Sequence, residues 1–305
     1  MSNQTKAYIF AGCSIIAWST ISTAFKLSLQ FLTPIGLLFF ASCSAVLFLN
    51  ITQSIRNPSF YRVKGLLARI LKNLKASFLS GLLNPFVYYL MLFEAYSRLR
   101  AQEAQALNYT WAIVLSIFSI WLLKEKFRLL DFIALLISLF GVWIISTKGQ
   151  ISSLRFDDAL GSFLAVSTAI IWAIYWILNI KDERETITKL SFNFLVGFML
   201  IALFVVCTGA SLFTDEAKYG YGILGGIYVG IFEMGLTFIL WNRALELTDN
   251  TAAVSNLIFF TPFVSLLFIS SILKESIHYA TFIGLLLIVF SNLMQKGFKG
   301  VLKRK

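Results

Sequence analysis

The stretch Lys274-Glu-Ser-Ile-His-Tyr-Ala-Thr-Phe-Ile283 repeats the pattern of Lys124-Glu-Lys-Phe-Arg-Leu-Leu-Asp-Phe-Ile133, and this repetition decides the fold. The match extends without gaps over residues 94–142 and 244–292, at a constant shift of 150 positions (274 minus 124). Chance identities are common among apolar residues, but an ungapped series with a charged pair at its centre is typical of an internal duplication. The sequence therefore predicts two copies of one unit.

The composition is that of an integral membrane protein. Of the 305 residues, 58% are hydrophobic and 13% are charged, whereas charged residues approach a quarter in soluble domains. A closed barrel would need strands that alternate in polarity, but Leu285-Leu-Leu-Ile-Val-Phe290 is apolar on every side. An all-α integral membrane protein is therefore predicted, with one repeat in residues 1–150 and the other in residues 151–305.

Apolar windows of roughly the 20 residues that a transmembrane helix needs recur along the chain. They predict ten transmembrane helices, spans one to ten, with five in each repeat. Gly141 is expected to be a contact point in span five, and Pro262 is expected to bend span nine. The windows lie at 8–27, 33–53, 78–98, 104–122, 130–147, 161–180, 190–210, 221–242, 251–272 and 277–295.

The net charge of +11 is distributed as in a membrane protein. Most of the 26 Lys and Arg residues fall in segments that are cytoplasmic if the N-terminus is inside, as the positive-inside rule requires. Both termini and residues 56–75, 124–128 and 181–189 are therefore predicted to face the cytoplasm. The first of these segments, residues 56–75, is predicted to be the longest loop. It could form a basic helix on the inner membrane surface, or it could serve only as a determinant of topology. Membrane lipids are the expected partner of this charge, and no nucleic acid is implied.

Each predicted repeat has an odd number of spans, so the second copy must enter the membrane from the opposite side. Inverted repeats are typical of secondary transporters, which bind a small-molecule substrate near the bilayer midplane. No Ser, Cys or carboxylate pair in the sequence has a candidate base at a suitable spacing, which disfavours an enzyme. The sequence has no phosphate-cradling Gly-rich loop, and Cys13, Cys43 and Cys207 lack metal-ligand spacing. No cofactor and no metal site are predicted.

The candidate substrate-binding residues are polar and aromatic side chains at helical spacing within apolar spans. Unbonded amides and hydroxyls are unfavourable in lipid, so these faces must meet protein or water. Clustered Trp, Tyr and Asn side chains suit flat or cationic solutes. Two alternatives remain open: hydroxyls also permit close helix packing, and aromatic stripes arise by chance in a chain with 30 Phe, 11 Tyr and 7 Trp. The candidates are Trp18, Ser22, Gln105, Asn108, Tyr109, Trp111, Trp172, Tyr175, Trp176, Asn179, Glu233, Thr237, Trp241, Ser255 and Phe259.

Two acidic residues within the spans need an explanation. Glu233 lies near the centre of span eight, where an isolated carboxylate must be protonated, paired or facing a watery cavity. It is predicted either to face the cavity and bind a proton or a substrate amino group, or to be a protonated acid bonded to a backbone carbonyl. Glu94, near the end of span three, precedes Arg98 by four residues, which predicts an ion pair or a direct role in substrate binding.

Several motifs resemble the EamA family of the drug/metabolite transporter superfamily, and the resemblance covers nearly the whole chain. The motifs most resemble those of the branch of aromatic amino acid exporters, which usually has Asn-Tyr-x-Trp-Pro in its fourth helix. Ala112 stands at the position of that proline, and Glu233 has no counterpart in that branch. The motifs are Ala17-Trp-Ser-Thr20, Leu107-Asn-Tyr-Thr-Trp111, Trp172-Ala-Ile-Tyr175, Trp241-Asn242 and Phe260-Thr-Pro262.

The resemblance implies ten helices in two inverted halves, with a central cavity lined by helices one, three, four, six, eight and nine. It implies alternating access without ATP. The implied function is a secondary transporter that exports amino acids or related small metabolites across the bacterial inner membrane. A channel, or a flippase for lipid-like or other small solutes, is the alternative.

Overall fold

The computed structural model describes residues 1–56, 58, 65–122, 129–150, 158–214, 219–249, 254 and 257–302. Within these residues the fold is helical, and extended backbone pairs only in an isolated bridge between Leu32 and Phe213. The first helices are α1 (Asn3–Ser28), α2 (Pro34–Arg56), α3 (Leu66–Gly81), α4 (Tyr88–Arg98), α5 (Ala101–Asn108), α6 (Trp111–Leu122) and α7 (Leu129–Ser146). They are followed by α8 (Ala159–Lys181), α9 (Thr186–Thr208), α10 (Tyr219–Ile231), α11 (Thr237–Leu247), α12 (Thr261–Ile272) and α13 (Tyr279–Leu302).

Six helical stretches of the described chain are long and apolar enough to cross a membrane. They are Asn3–Ser28, Pro34–Arg56, Leu66–Arg98, Ala159–Lys181, Thr186–Thr208 and Tyr219–Leu247. Shorter apolar helices cover Phe132–Ser146, Leu257–Ile272 and Tyr279–Met294. Large apolar side chains such as Val206 and Leu267 are 80% and 69% exposed on the outside of the bundle. Such a surface is suited to contact with lipid chains.

The second part of the predicted loop at residues 56–75 is helical, as the alternative of a basic helix predicts. Helix α3 begins at Leu66, well before the apolar window that starts at residue 78. Its first turns carry Arg69, Lys72 and Lys75 beside apolar side chains, and helix propensity does not require an apolar segment. The helix therefore begins before the apolar window that the sequence shows. Residues 57 and 59–64 of this segment, and all of residues 124–128, lie outside the described residues.

Predicted spans three, four and eight each contain a break or a change of helix type. A π-helical segment, Leu82–Val87, joins α3 to α4 and is kinked at Asn84, whose backbone is extended (φ −143°, ψ 114°). A π-helical turn, Phe232–Leu236, joins α10 to α11. The predicted fourth span is interrupted between α5 and α6 at Tyr109 and Thr110. Breaks of this kind free backbone groups, and they are tolerated at membrane depth where protein or a cavity surrounds them.

Pro262, which is expected to bend span nine, lies next to a change of helix type within Leu257–Ile272. A 3₁₀ turn, Leu257–Phe260, leads into α12, so Pro262 is the second residue of that helix. The first turn of a helix has unpaired N–H groups in any case, and the missing donor of proline costs little there. Pro262 therefore begins a helix and does not interrupt one.

Helices from the two halves of the chain pack against each other. Helix α1 contacts α10, α11 and α12, helix α2 contacts α9 and α10, and helix α4 contacts α8. Helix α7 packs on α13 at Gly141, where a Cβ atom would lie 2.8 Å from the carbonyl oxygen of Gly284. The contact predicted for Gly141 is thus confirmed. The predicted ion pair is confirmed as well, since Arg98 Nε lies 2.8 Å from Glu94 Oε1.

Candidate functional site

A cavity of about 350 Å³ lies where helices of the two halves meet. This volume is at the lower end of the range for small-molecule sites. Side chains reach it from α1, α4, α5, α6, α8, α11, the π-helical turn and the segment that leads into α12. The sequence-derived candidates in its wall are Trp18, Ser22, Gln105, Asn108, Tyr109, Trp111, Trp172, Trp176, Glu233 and Trp241.

One wall of the cavity is aromatic and belongs to α1 and α11. The ring centroid of Trp18 lies 5.6 Å from that of Trp241 and 5.7 Å from that of Phe238, which it meets edge-on. Ser22 is one turn further along α1, and its hydroxyl lies 2.7 Å from the hydroxyl of Tyr96. The polar group of Ser22 is thus bonded within the protein, which is how a hydroxyl is accommodated in an apolar bundle.

A second wall is formed by Trp172 and Trp176 of α8. These residues are four positions apart and therefore lie on one helix face. Their rings stack with centroids 6.0 Å apart and planes 25° apart. The ring of Tyr88 from α4 lies 4.9 Å from that of Trp172, and Phe238 lies 6.1 Å from it. Aromatic side chains from three helices therefore cluster in this part of the wall, and such a cluster suits a flat or cationic group.

Glu233 is the acidic residue of the cavity wall. It lies in the π-helical turn, a type of helix that is frequent at functional sites. Its Oε1 accepts a hydrogen bond of 3.1 Å from the hydroxyl of Tyr89, a side chain with no exposed surface. The carboxyl group thus lies at the cavity with a phenol as a hydrogen-bond partner, and its binding of a proton or a substrate amino group stays a prediction. Among the lining residues that the structure describes, it is the one charged side chain.

The amide of Asn108 connects the cavity to α8. Its Nδ2 donates to Thr168 Oγ1 at 2.8 Å, and its Oδ1 lies 3.5 Å from the hydroxyl of Tyr88. The hydroxyl of Thr168 in turn donates to the carbonyl oxygen of Ala165 at 2.6 Å. Asn108 is thereby held at the end of α5, next to the break before α6. Gln105, one turn earlier, is also in the cavity wall and is nearly buried.

Tyr175 and Asn179 are not in the cavity wall, although they share a broad stripe of α8 with the two tryptophans. Tyr175 is 1% exposed, and its hydroxyl lies among the side chains of Asn84, Asn179 and Asn193. Its ring lies 5.6 Å from that of Trp172, but its hydroxyl reaches the π-helical segment and α9. A stripe of this width covers more of the helix surface than the cavity does.

Thr237 and Phe259 are likewise buried behind the wall. Thr237 has no exposed surface, and its hydroxyl donates to the carbonyl oxygen of Phe232 in the π-helical turn. Phe259 is 4% exposed and belongs to the apolar core. Ser255 lies outside the described residues.

Sequence reasoning missed the face that α4 presents to the cavity. Tyr88, Leu92 and Tyr96 all line it, and each is four residues from the next. This spacing was available in the sequence, but Glu94 and Arg98 on the same helix were the more conspicuous residues. Other lining residues absent from the candidates are Ile21, Phe25, Leu115, Phe238, Leu245, Ile258 and Thr261.

The loop that precedes α13 holds the first turn of α5. Glu275 Oε1 accepts from the backbone N–H of Ala101 at 3.2 Å, where a negative charge is favourable because the helix begins there. Gln102 Nε2 donates to the carbonyl oxygen of Ser276 at 2.9 Å, and Gln102 Oε1 accepts from the backbone N–H of His278 at 2.9 Å. These contacts fix the helix that carries Gln105 and Asn108 into the cavity.

Comparisons with known proteins agree with this architecture. The model of the EamA-like transporter family matches residues 5–147 and 159–294. An uncharacterized transporter from Clostridium kluyveri is 25% identical over 223 residues, which is 71% of this chain and 70% of that protein. A solved crystal structure has the same fold, with a TM-score of 0.64 and 20% sequence identity over 98% of this chain and 99% of the other. Since the family model covers most of the sequence, the chain belongs to the EamA-like transporter family and is a multi-pass membrane transporter.

Proposed function

We propose that the protein is a secondary transporter that exports amino acids or related small metabolites across the bacterial inner membrane by alternating access. The observation that carries this proposal is the position of Glu233 in an aromatic cavity between helices of both halves. An acid at membrane depth is unfavourable unless it serves a pathway for ions or substrate. The resemblance to the aromatic amino acid exporter branch supports a solute with a flat or apolar body.

In this proposal Glu233 binds a proton and the amino group of the solute in turn. Both are positive charges that neutralise a buried carboxylate, so the two compete for one site. The aromatic faces of Trp18, Trp172 and Trp176 hold the body of the solute, while Asn108 and Gln105 contribute polar contacts. After the solute is released to one side, Glu233 binds a proton again. This alternation couples the flux of the solute to the flux of protons.

We also propose that residues 1–150 and 151–305 form two inverted repeats of five transmembrane helices, with both termini in the cytoplasm. The ungapped match at a shift of 150 positions (274 minus 124) supports this, as do the two ranges matched by the family model. Packing of α1 against α10, α11 and α12 is the arrangement expected if a substrate site lies between the repeats. Rocking of one repeat against the other would open the cavity to each side alternately.

Counterflow in proteoliposomes tests the transport function. Vesicles preloaded with an unlabelled aromatic amine or amino acid should accumulate the labelled compound transiently, and the rate should saturate. Glu233→Gln should remain folded, lose the pH dependence of transport, and slow net efflux more than exchange. Glu94→Gln is the matched control, because it also converts an acid to an amide but at the ion pair with Arg98 outside the cavity. Flux that rises linearly with concentration, without counterflow, would support the channel alternative and contradict the proposal.

Cysteine labelling tests the orientation. In a variant with Cys13, Cys43 and Cys207 replaced by Ala, single cysteines are introduced at Glu183 and at Tyr219, which are both exposed. An impermeant maleimide added to intact cells should label the Tyr219→Cys protein, and it should label the Glu183→Cys protein only after permeabilisation. The opposite pattern would show that the termini face outward.

A further inference from the structure

The carboxylate of Glu233 is held in one place. Tyr89, which donates to Oε1 at 3.1 Å, has no exposed surface and is fixed by its neighbours. Its ring lies 4.8 Å from that of Tyr88 and 5.5 Å from that of Phe93. A hydrogen bond from a buried, packed phenol restricts the rotamers of the glutamate. A solute in the cavity therefore meets an acidic group at a defined position.

The surfaces near this acid also favour positive charge. An aromatic ring has a negative face and a positive edge, so its face attracts cations and repels anions. Trp172 and Trp176 are stacked and Trp18 is in contact with Trp241, and all four rings line the cavity. Where the face of one of these rings meets a solute, it acts in the same direction as the charge of Glu233. Both stabilise an ammonium group.

A free amino acid would bring a second carboxylate into this field. In an α-amino acid the carboxylate is bonded to the carbon that carries the ammonium, so pairing of the ammonium with Glu233 leaves the two carboxylates close together. Like charges in a region of low dielectric constant repel strongly. The free energy gained by the ammonium is therefore partly lost when the solute is a zwitterion.

Three polar groups at or near the cavity already have partners inside the protein. Asn108 donates to Thr168, and Ser22 is bonded to Tyr96. Lys26 is one residue past Phe25 of the cavity wall, but its Nζ donates to the carbonyl oxygen of Tyr96 at 2.7 Å. The charge of Lys26 also interacts with Glu275 and Glu103. A solute carboxylate would have to displace these contacts to be neutralised.

We infer that, within the solutes of the proposed transporter, the cavity selects protonated aromatic or apolar amines that carry no free carboxylate. The inference rests on the proposed function, since it names the class of solute that the same cavity takes. The ammonium of such a solute pairs with Glu233, and its body lies against the faces of Trp172 and Trp176. Amines formed by decarboxylation of amino acids have this chemistry, and a reaction of that class would supply the solute.

Binding of three matched compounds to the purified protein at neutral pH tests the inference. The probes are 2-phenylethylamine, which is a cation, phenylalanine, which is a zwitterion, and 2-phenylethanol, which is neutral. We expect the amine to bind about tenfold more tightly than either of the others, because only the amine has an unopposed positive charge. Equal or tighter binding of phenylalanine would overturn the inference, and so would the absence of binding by all three compounds.

Variants show whether Glu233 sets this preference. Glu233→Gln should reduce binding of the amine to the level of the alcohol and leave binding of the alcohol unchanged. Glu233→Asp keeps the charge but shortens the side chain, so it should weaken amine binding while the preference over the alcohol persists. The second variant serves if the first does not fold. Glu94→Gln should retain the full preference for the amine. Loss of the preference in Glu94→Gln would contradict the role of Glu233, and so would a preference that persists in Glu233→Gln.

The inference and the transport function can fail separately. Preferential binding of the amine without counterflow would support the inference and refute transport. Counterflow of phenylalanine in preference to 2-phenylethylamine would support transport and overturn the inference.

Discussion

The hydroxyl of Tyr89 in α4 donates a hydrogen bond to Oε1 of Glu233 across 3.1 Å. This bond joins the helix that follows one π-helical segment to the π-helical turn of α10 and α11. It therefore connects the acid of the cavity to a helix from the other half of the chain. If the two halves move relative to each other, this hydrogen bond is either preserved or broken. Tyr89 is therefore a positioning residue for Glu233.

Tyr89→Phe should weaken binding of 2-phenylethylamine about tenfold, since a hydrogen bond to a charged group contributes roughly 1.5–3 kcal/mol. Binding of the neutral 2-phenylethanol should not change, because the ring of residue 89 remains packed. Titration calorimetry with both compounds measures how much the variant changes the affinity for each. Tyr228→Phe is the control: it removes a tyrosine hydroxyl that lies 2.6 Å from Thr20 Oγ1 and does not line the cavity. An equal loss for both compounds would indicate a general disturbance of packing.

Trp172→Ala should weaken binding of the amine by about tenfold or more, because Trp172 stacks on Trp176 and presents a cation-binding face. Trp172→Phe should retain part of the affinity, since a smaller ring keeps a π face. Size-exclusion chromatography and thermal unfolding should show that both variants fold. Trp143→Ala in α7, whose ring contacts Phe140 and does not line the cavity, should leave affinity unchanged. Loss of folded protein in Trp172→Ala with normal affinity in what remains would assign Trp172 to packing alone.

Gly284→Ala should destabilise the protein by roughly 1–3 kcal/mol, the usual cost of overpacking. A Cβ at this position would lie 2.6 Å from the carbonyl oxygen of Gly141 and 2.5 Å from Cγ1 of Ile145, so α7 and α13 must separate. Gly12→Ala in α1 is the matched control, because a Cβ there meets nothing within 4 Å. Alanine should leave stability unchanged or raise it by up to about 1 kcal/mol at that position. Thermal unfolding in detergent compares the two variants, and equal stability of both would refute the close contact.

Stability should depend on pH through Asp182 in the turn between α8 and α9. Burial alone would raise the pKa of its carboxyl group, but hydrogen bonds from the side chain and backbone of Arg184, and the charges of Arg184 and Lys189, hold the pKa below its usual value. Arg184 Nη2 lies 2.6 Å from Asp182 Oδ2 and also donates to Ser77 Oγ at 2.9 Å, which ties the turn to α3. A lowered pKa in the folded state means that the contact stabilises the protein above the unfolded pKa of about 3.9.

The stabilisation should be lost as the pH falls from about 4 through the lower pKa of the folded state. Asp182→Asn should therefore lower the melting temperature at neutral pH and at about pH 5, and the difference from the natural protein should vanish in stronger acid. Glu183→Gln, at the neighbouring exposed position, should have no comparable effect on the melting temperature. A difference for Asp182→Asn that is constant down to the lowest pH would exclude the charge of Asp182 as its cause.

The class of protein could be predicted from the sequence. High hydrophobicity with few charges requires lipid or a very large core as surroundings, and this does not depend on tertiary contacts. Contacts between residues close in sequence were also predictable: Glu94 and Arg98 are one helical turn apart, so helix formation alone brings them together. The same holds for Trp172 and Trp176, which any α-helix places on one face.

The roles of neighbouring side chains on one stripe were not predictable in this way. Tyr175 shares a broad stripe with Trp172, but it points to Asn84 and Asn193 from other helices and not to the cavity. In a soluble protein the polar face of a helix shows which side meets water. In a membrane protein lipid is as apolar as the core, so this signal is weak and helix packing decides which residues face the cavity.

By itself, the sequence determined that this chain is helical and membrane-embedded, and that Glu233 lies near the centre of an apolar span. Composition and helical spacing are local properties, so they do not depend on tertiary contacts. Only the tertiary structure decided that Tyr89 holds Glu233, that α5 ends at Asn108 and that Tyr88 and Tyr96 complete the cavity. These features depend on groups that are far apart in the sequence. Their free energies come from packing, desolvation and hydrogen bonds that exist only when α1, α4, α8 and α11 meet.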